Sequence, residues 1–265
     1  MSDNQIKFLK TFKKNKRIIF LSQISIIFIF FILWEYLSSN NYINSFLYSS
    51  PTKVLNTIKV LYNTNNLFIH LHTTMTEIIV SFIIGTILGF LIALILYECK
   101  LLAKISEPFL IMLNSLPKVA LGPIIIIITG ANIKSIIVMA LLINLIINIT
   151  TIYNGFINTD EIRIKLLKTF KASKYQIAKY IIIPESFNTI LSSLKLTIGQ
   201  TLIGVIMGEF LVSKAGIGYL IIYGTQVFNM SLVMTGILFL AIISFLLYEI
   251  VLIIEKKLLN SNKKS

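Results

Sequence analysis

The sequence predicts an all-α protein that crosses a membrane six times. Hydrophobic residues make up 56% of its 265 residues and charged residues only 13%, and the mean hydropathy is +0.85. Soluble domains carry about 25% charged residues, so the composition excludes an ordinary soluble domain. The chain also contains six apolar runs of about twenty residues, the length that an α-helix needs to cross the hydrocarbon core of a bilayer.

The six predicted spans are distributed over most of the chain. They cover residues 18–37, 78–97, 105–128, 135–153, 190–212 and 232–254. Pro117 and Pro123 are candidate breaks of the third span, because a proline inside a helix removes a hydrogen bond and clashes with the preceding turn. An even number of spans places both termini on the same side.

Lysine and arginine predict the orientation of these spans. Of the 24 basic residues, 18 fall on one side of the predicted membrane and four on the other. The positive-inside rule makes the richer side cytoplasmic. We therefore expect a basic cytoplasmic arm at 1–17, one transmembrane domain at 18–258 and a cytoplasmic tail at 259–265. The net charge of +13 does not predict nucleic-acid binding, because the charges lie between apolar runs of spanning length.

The connection between the fourth and fifth spans contains the basic segment KLLKTFKASKYQIAKYIIIP. Apolar residues recur at helical spacing from Ile162 to Phe170, with basic residues on the other face, which predicts an amphipathic helix. Thr159 is the predicted N-cap of this helix. Ser173 and Gln176 form a predicted capping box that starts a second helix after a bend. On this pattern the connection either lies on anionic lipid or docks a cytoplasmic partner.

This connection resembles the EAA loop of binding-protein-dependent ABC importer permeases. The pattern of that loop is E-A-A, three residues, a glycine, nine residues and I-x-L-P. Aligned on Pro184, Ile181 and Ile183 fit the I-x-L part, and Lys171 stands at the glycine position. A glycine there normally supplies a positive φ, which costs a lysine about 1 kcal/mol.

The resemblance implies that residues 156–188 form an ATPase-coupling loop. At the E-A-A positions stand Lys165, Leu166 and Leu167, where the acidic residue of the pattern is replaced by a basic one. The candidate coupling residues are Lys165, Leu166, Leu167, Phe170, Lys171, Ala172, Ser173, Ile181 and Pro184.

Three other segments resemble the nitrate, sulfonate and taurine branch of these permeases. LPKVALGPIIII is similar to L-P-x-x-A-L-x-P-L, GEFLVSKAGIGYLI to A-E-F-L-x-x-x-x-G-L-G-Y-L-I, and SPTKVLNTI to S-P-x-x-V. The resemblance runs from about residue 34 to residue 258. The chain departs from it at Glu77, where an arginine is common in the branch.

Membership of that branch implies a type I importer permease fold in the cell (inner or plasma) membrane, with both termini cytoplasmic. It also implies a homodimer, two cytoplasmic ABC ATPase subunits and an extracytoplasmic solute-binding protein. The expected solute is small and anionic or polar, such as nitrate, a sulfonate or taurine. The alternatives are a thiamine-precursor pyrimidine for the same kind of permease, or a channel or secondary transporter that works without ATP.

The chain shows no signature of catalysis. It contains no G-x-x-x-x-G-K-[ST] loop to hold ATP phosphates and no nucleophile beside either histidine. His70 and His72, predicted in an outer loop, are too few for a metal site. We therefore expect a non-catalytic transport subunit without a cofactor or metal.

Small and polar residues inside the spans are the remaining site candidates. Gln200, Gly204 and Gly208 recur every fourth position in the fifth span, and the second span carries a similar stripe. Such stripes allow close packing of helices within one subunit; the resemblance instead places the stripe of the fifth span beside the pore at the dimer interface. The pore or gate candidates are Gln200, Gly204, Gly208, Glu209, Gly216 and Gly218.

Two charged residues of the fifth span each have two interpretations. Glu209 is expected to face protein or water, as ionisable residues inside spans do, and to hold or gate the outer mouth. It is also near enough to the outer end to extend to the surface. Lys195 either extends to the inner surface or contacts an anionic solute.

Overall fold

The computed structural model describes the backbone of residues 3–262 and the side chains of residue 12 and residues 14–259. Helices account for most of this part, which confirms the all-α prediction. A 3-10 segment, Lys118–Leu121, lies between α5 and α6, and a π-helical segment, Ala178–Ile182, lies between α9 and α10. The helices are α1 Asp3–Ser39, α2 Ser45–Tyr48, α3 Pro51–Asn63, α4 Asn66–Glu98, α5 Lys100–Ser115, α6 Gly122–Thr129, α7 Ile133–Ile157, α8 Glu161–Thr169, α9 Lys174–Ile177, α10 Ile183–Glu185, α11 Phe187–Val212, α12 Ile217–Gln226 and α13 Met230–Asn262.

Five helices among the described residues are long and apolar enough to cross a membrane. They are α1, α4, α7, α11 and α13, and each contains one predicted span. Two shorter helices, α5 and α6, make a sixth span only if they are counted together across a sharp bend. These five or six apolar helices make the chain a multi-pass membrane protein.

The third predicted span is bent rather than straight. Its two parts, Lys100–Ser115 and Lys118–Thr129, meet at 91°. Leu116, the residue before Pro117, has φ −67° and ψ 139°, the extended conformation that a following proline imposes. Pro123 lies in the first turn of α6, where a missing N–H is tolerated. The break therefore occurs at Pro117 and not at Pro123.

The helices α4, α7 and α11 form the close-packed centre of the fold. A Cβ added at Gly204 would lie 2.5 Å from Cα of Ala140, and one added at Gly208 would lie 2.9 Å from Cα of Ile136. On the other side of α7, Gly85 of α4 leaves room for the side chain of Asn144. The small-residue stripes of the second and fifth predicted spans thus both pack against α7 of the same chain.

The helix that contains the second predicted span is longer than that span. It begins at Asn66, so His70 and His72 lie on a helix and the prediction of a loop there is wrong. Thr64 and Asn65 alone separate α3 from α4. This extension brings Thr74 and Glu77 beside the end of α11, where the buried polar cluster described below is formed.

Candidate functional site

Residues 156–188, named here the basic loop, connect α7 to α11 and begin with a capped helix. Oδ1 of Asp160 accepts the N–H of Ile162 at 2.8 Å, so Asp160 is the N-cap of α8 and the prediction of Thr159 is wrong by one residue. The hydroxyl of Thr159 instead lies 3.5 Å from that of Ser186. An aspartate at this position also interacts favourably with the helix dipole.

Glu185 fastens the start of α8 to the far end of the loop. Its Oε2 accepts the N–H of Asp160 at 3.1 Å, and its Oε1 forms an ion pair with the guanidinium of Arg163. The Glu185 side chain is 21% exposed, so this pair is partly shielded from water and contributes more than a fully exposed pair would. The beginning of α8 and the beginning of α11 are thereby held together.

The bend of the basic loop is a Schellman motif at Lys171. The N–H of Ala172 binds the carbonyl of Leu167 at 3.1 Å, and the N–H of Lys171 binds the carbonyl of Lys168 at 2.9 Å. Lys171 has φ 57°, so the residue at the glycine position of the EAA pattern does adopt a positive φ. A lysine in this conformation stores about 1 kcal/mol of strain that a glycine would not.

The second half of the loop starts as the sequence predicts. The hydroxyl of Ser173 accepts the N–H of Gln176 at 3.3 Å, and Oε1 of Gln176 accepts the N–H of Ser173 at 2.7 Å. This confirms the capping box. The π-helical segment follows, with Ile181 half-buried, and Pro184 is exposed in the first turn of α10. Because Pro184 has no N–H, the regular helical ladder cannot continue through it.

The apolar residues of α8 point in two directions. Ile164 and Leu167 pack against a buried cluster that includes Phe156 of α7 and Ile182. Phe170, in contrast, is 74% exposed, so the prediction that Leu167 and Phe170 share one face is wrong. An exposed apolar stripe follows α8 at helical spacing. It consists of Ile162, Leu166 and Phe170, which are 74%, 57% and 74% exposed. The basic loop is therefore anchored on one face and presents apolar side chains on the other.

A second polar site lies at the far end of α11, where Glu209 is completely buried. Its Oε1 accepts the hydroxyl hydrogen of Thr74 at 2.6 Å, and its Oε2 accepts the N–H of Gly218 at 2.5 Å. The side chain therefore does not extend to the surface. It connects α11 with α4 and with the start of α12.

Gly216 and Gly218 are close to the Glu209 carboxyl. A Cβ on Gly216 would overlap that carboxyl, and Gly216 has φ 118°. A Cβ on Gly218 would lie 2.8 Å from Oε2 of Glu209. The N–H of Gly216 is bound by Nδ1 of His70 at 2.9 Å. The two glycines thus leave the space that the buried carboxyl occupies.

Glu77 is a functional candidate that the sequence analysis missed. It is 2% exposed and its carboxyl neighbours that of Glu209. Neither carboxyl oxygen of Glu77, nor the hydroxyl of Ser81 one turn later, has a hydrogen-bond partner within the described residues. The available signal was the helical spacing, since Thr74, Glu77 and Ser81 recur on one face. Buried polar groups are almost always paired, so this part of the bundle is an exception.

The other charged residue of the fifth predicted span is paired within the chain. Nζ of Lys195 lies 2.9 Å from Oε1 of Glu255 on α13, and both side chains are mostly buried. Glu255 therefore occupies the ammonium that was a candidate for contact with a solute. Among the pore candidates, Gln200 is half-buried and Gly204 is buried. Their placement beside a pore stays a prediction, although the face of α11 that carries Gly204 and Gly208 is covered by α7.

Comparison with known proteins relates the chain to one transport family. The family described as "Binding-protein-dependent transport system inner membrane component" matches residues 85–260. A protein of Haemophilus influenzae that is named as an ABC transporter permease is 25% identical over 228 residues, which are 86% of this chain and 92% of that protein. A protein of Bacillus subtilis that is named as an aliphatic sulfonates transport permease, SsuC, is also 25% identical over 228 residues, which are 86% of this chain and 82% of that protein.

A solved structure has the same fold. A chain of the MetNI methionine ABC transporter, crystallised in inward facing conformations, superimposes with a TM-score of 0.62 at 18% sequence identity. The superposition covers 70% of this chain and 92% of that one. The likeness identifies the type I importer permease fold.

Proposed function

Because the chain belongs to the inner membrane components of binding-protein-dependent transport systems and is an ABC importer permease, we propose that two copies of it form the translocation path for a small anionic or polar solute. A sulfonate, taurine or nitrate is the preferred class, which the similarity to SsuC supports. Separate cytoplasmic ATPase subunits hydrolyse the ATP. A solute-binding protein delivers the solute on the outer side.

The two faces of the basic loop carry this proposal. Exposed apolar stripes of this kind mark interaction surfaces, and Ile162, Leu166 and Phe170 are the side chains that we assign to the ATPase. The opposite face, with Leu167, packs on a cluster that contains Phe156 of α7. A displacement of the stripe by the ATPase would thus be passed to the ends of α7 and α11.

The connection through Glu185 supports the same mechanism. Since Glu185 binds both Asp160 and Arg163, α8 cannot rotate about the end of α7 without breaking these contacts. A loop held in this way acts as a rigid lever, and hinge or shear motion of the spans is the known type of response. ATP-driven closure of two ATPase subunits would alternate the side to which the path is open.

Reconstitution tests this function directly. The permease, its ATPase and its binding protein are placed in proteoliposomes, and accumulation of a labelled alkanesulfonate, taurine, nitrate and a thiamine-precursor pyrimidine is measured. We expect accumulation of one of the first three that requires ATP and stops with a hydrolysis-deficient ATPase. Accumulation of the pyrimidine alone would overturn the solute class. Flux through the permease without the ATPase would identify a channel or secondary transporter.

A further inference from the structure

A cleft lined by lysines separates the basic loop from the junction of α4 and α5. It consists of two adjoining cavities of about 390 and 320 Å³, which share Tyr97, Lys100, Ile164 and Lys168. We name these two cavities together the lysine cleft. The first also reaches Lys174 and the second Lys165.

The charge of the lysine cleft is not neutralised by the chain. Lys165 pairs with Glu161 at 3.2 Å, whereas Lys100, Lys168 and Lys174 form no ion pair within the described residues. Four lysines line the cleft against two acids, Glu98 and Glu161. Ammonium groups that converge on one cavity repel each other unless an anion lies between them. The cleft is therefore suited to a phosphate group.

The walls of the cleft add a second requirement. Ile164, Ile177, Ile182 and Phe156 line it with apolar surface. Tyr97 lies in the last turn of α4, at the end of a membrane-crossing helix, where tyrosine commonly marks the membrane–water interface. A free phosphate ion would cover none of these apolar side chains. A ligand with an anionic head and hydrocarbon chains satisfies both parts of the cleft.

We propose that the lysine cleft binds an anionic phospholipid, with its phosphate among Lys100, Lys168 and Lys174 and its acyl chains along the apolar wall. Basic pockets at the cytoplasmic ends of spans are suited to such headgroups. A bound lipid would bridge the α4–α5 junction to α8 and α9. The orientation rests on the expected cytoplasmic placement of the loop, whereas the chemistry of the cleft does not depend on the solute that is transported.

The lipid does not compete with the surface that we assign to the ATPase. Ile164 and Lys168 are four residues apart and lie on the face of α8 that borders the cleft. Ile162 and Leu166 are also four residues apart and lie on another face. Both faces can therefore be occupied together. An acidic segment of the ATPase is the other possible occupant of the cleft, and the experiment below distinguishes it from lipid.

Native mass spectrometry of the purified full-length permease measures the bound lipid. The test variant carries Lys100→Gln, Lys168→Gln and Lys174→Gln. The matched control carries Lys14→Gln, Lys16→Gln and Lys256→Gln, which remove the same charge from exposed positions outside the cleft. A third variant replaces the three cleft lysines by arginine. Each protein is titrated with phosphatidylglycerol, phosphatidylcholine and inorganic phosphate.

We expect phosphatidylglycerol to be retained by the wild type, the control and the arginine variant. Its affinity should fall at least about tenfold in the glutamine test variant, and phosphatidylcholine should bind weakly to all four. Three outcomes would overturn the proposal. An equal loss in the test and control variants would indicate general surface attraction. Inorganic phosphate that displaces the lipid from the wild type at millimolar concentration would identify a free phosphate site. Unchanged lipid binding with a loss of ATPase co-purification would assign the cleft to the ATPase.

Discussion

Thr74 joins three helices through a single hydroxyl group. It donates its hydrogen to Oε1 of Glu209 on α11 at 2.6 Å, and its oxygen accepts the N–H of Ile217 on α12 at 2.8 Å. Thr74 and Glu209 are both completely buried. Because each buried group would be left without a partner if the other moved away, α4, α11 and the start of α12 are expected to move as one unit during transport.

The two buried glutamates should respond in opposite ways to replacement by glutamine. In Glu209→Gln one of two satisfied acceptors becomes an NH₂ group that faces a donor, so we expect a loss of about 1–3 kcal/mol in stability and impaired uptake. In Glu77→Gln a buried carboxyl without a partner becomes a neutral amide, so stability should be unchanged or higher. Thermal unfolding in detergent measures both. Equal destabilisation by the two substitutions would contradict the assignment. Glu209→Ala should also impair uptake while the complex still assembles.

The glycines around Glu209 should not tolerate a methyl group. Gly216→Ala places a Cβ on the Glu209 carboxyl at a φ of 118°, and Gly218→Ala places one 2.8 Å from Oε2. We expect each to lower stability by about 1–3 kcal/mol through overpacking and strain. Gly199→Ala is the control, because no heavy atom lies within 4 Å of its added Cβ. It should be neutral or stabilising by up to about 1 kcal/mol in a helix.

The two directions of the α8 side chains lead to two different phenotypes. Phe170→Asp puts a charge on the exposed stripe, so we expect the permease to insert and dimerise normally but to lose the co-purifying ATPase, because a desolvated charge at that contact is costly. Leu167→Asp puts the charge against the buried cluster and should destabilise the permease itself. If Phe170→Asp keeps its ATPase and full uptake, the stripe is not the docking surface.

Replacement of Lys171 by glycine should be favourable. Lys171 has φ 57°, and Lys171→Gly removes the associated strain, with an expected gain of about 1 kcal/mol in permease stability. ATPase association and uptake should be retained or improved. Lys168→Gly, in the middle of the last turn of α8, serves as the control and should lose about 1 kcal/mol. A loss of stability in Lys171→Gly would show that the lysine side chain matters more than the backbone conformation.

Single cysteines test the predicted orientation. After replacement of the exposed Cys99 by serine, cysteines are placed one at a time at Asn41, Ser213 and Asn262. An impermeant thiol reagent applied to intact cells should label the first two positions only, because the distribution of 18 against four basic residues predicts cytoplasmic termini. Labelling at Asn262 in sealed cells would reverse the topology.

The sequence by itself determined the features whose causes lie within a few residues of one another. The apolar runs predicted the spanning helices because burial in a membrane depends on local composition. The capping box at Ser173 and the positive φ at Lys171 were also predictable, since a cap or a Schellman bend is made by hydrogen bonds over three to five residues. Pro117 located the break of the third span for the same reason.

Only the tertiary structure decided how those elements face one another. The angle of 91° at Pro117 depends on what α5 and α6 pack against, and the direction of Leu167 depends on the cluster around Phe156. The pairing of Lys195 with Glu255 joins residues 60 positions apart. The burial of Glu77 follows from the approach of α7 and α11 to α4. Helical periodicity states which residues share a face, but a carboxyl becomes buried or exposed only when distant helices close over that face, because burial is a property of the assembled bundle.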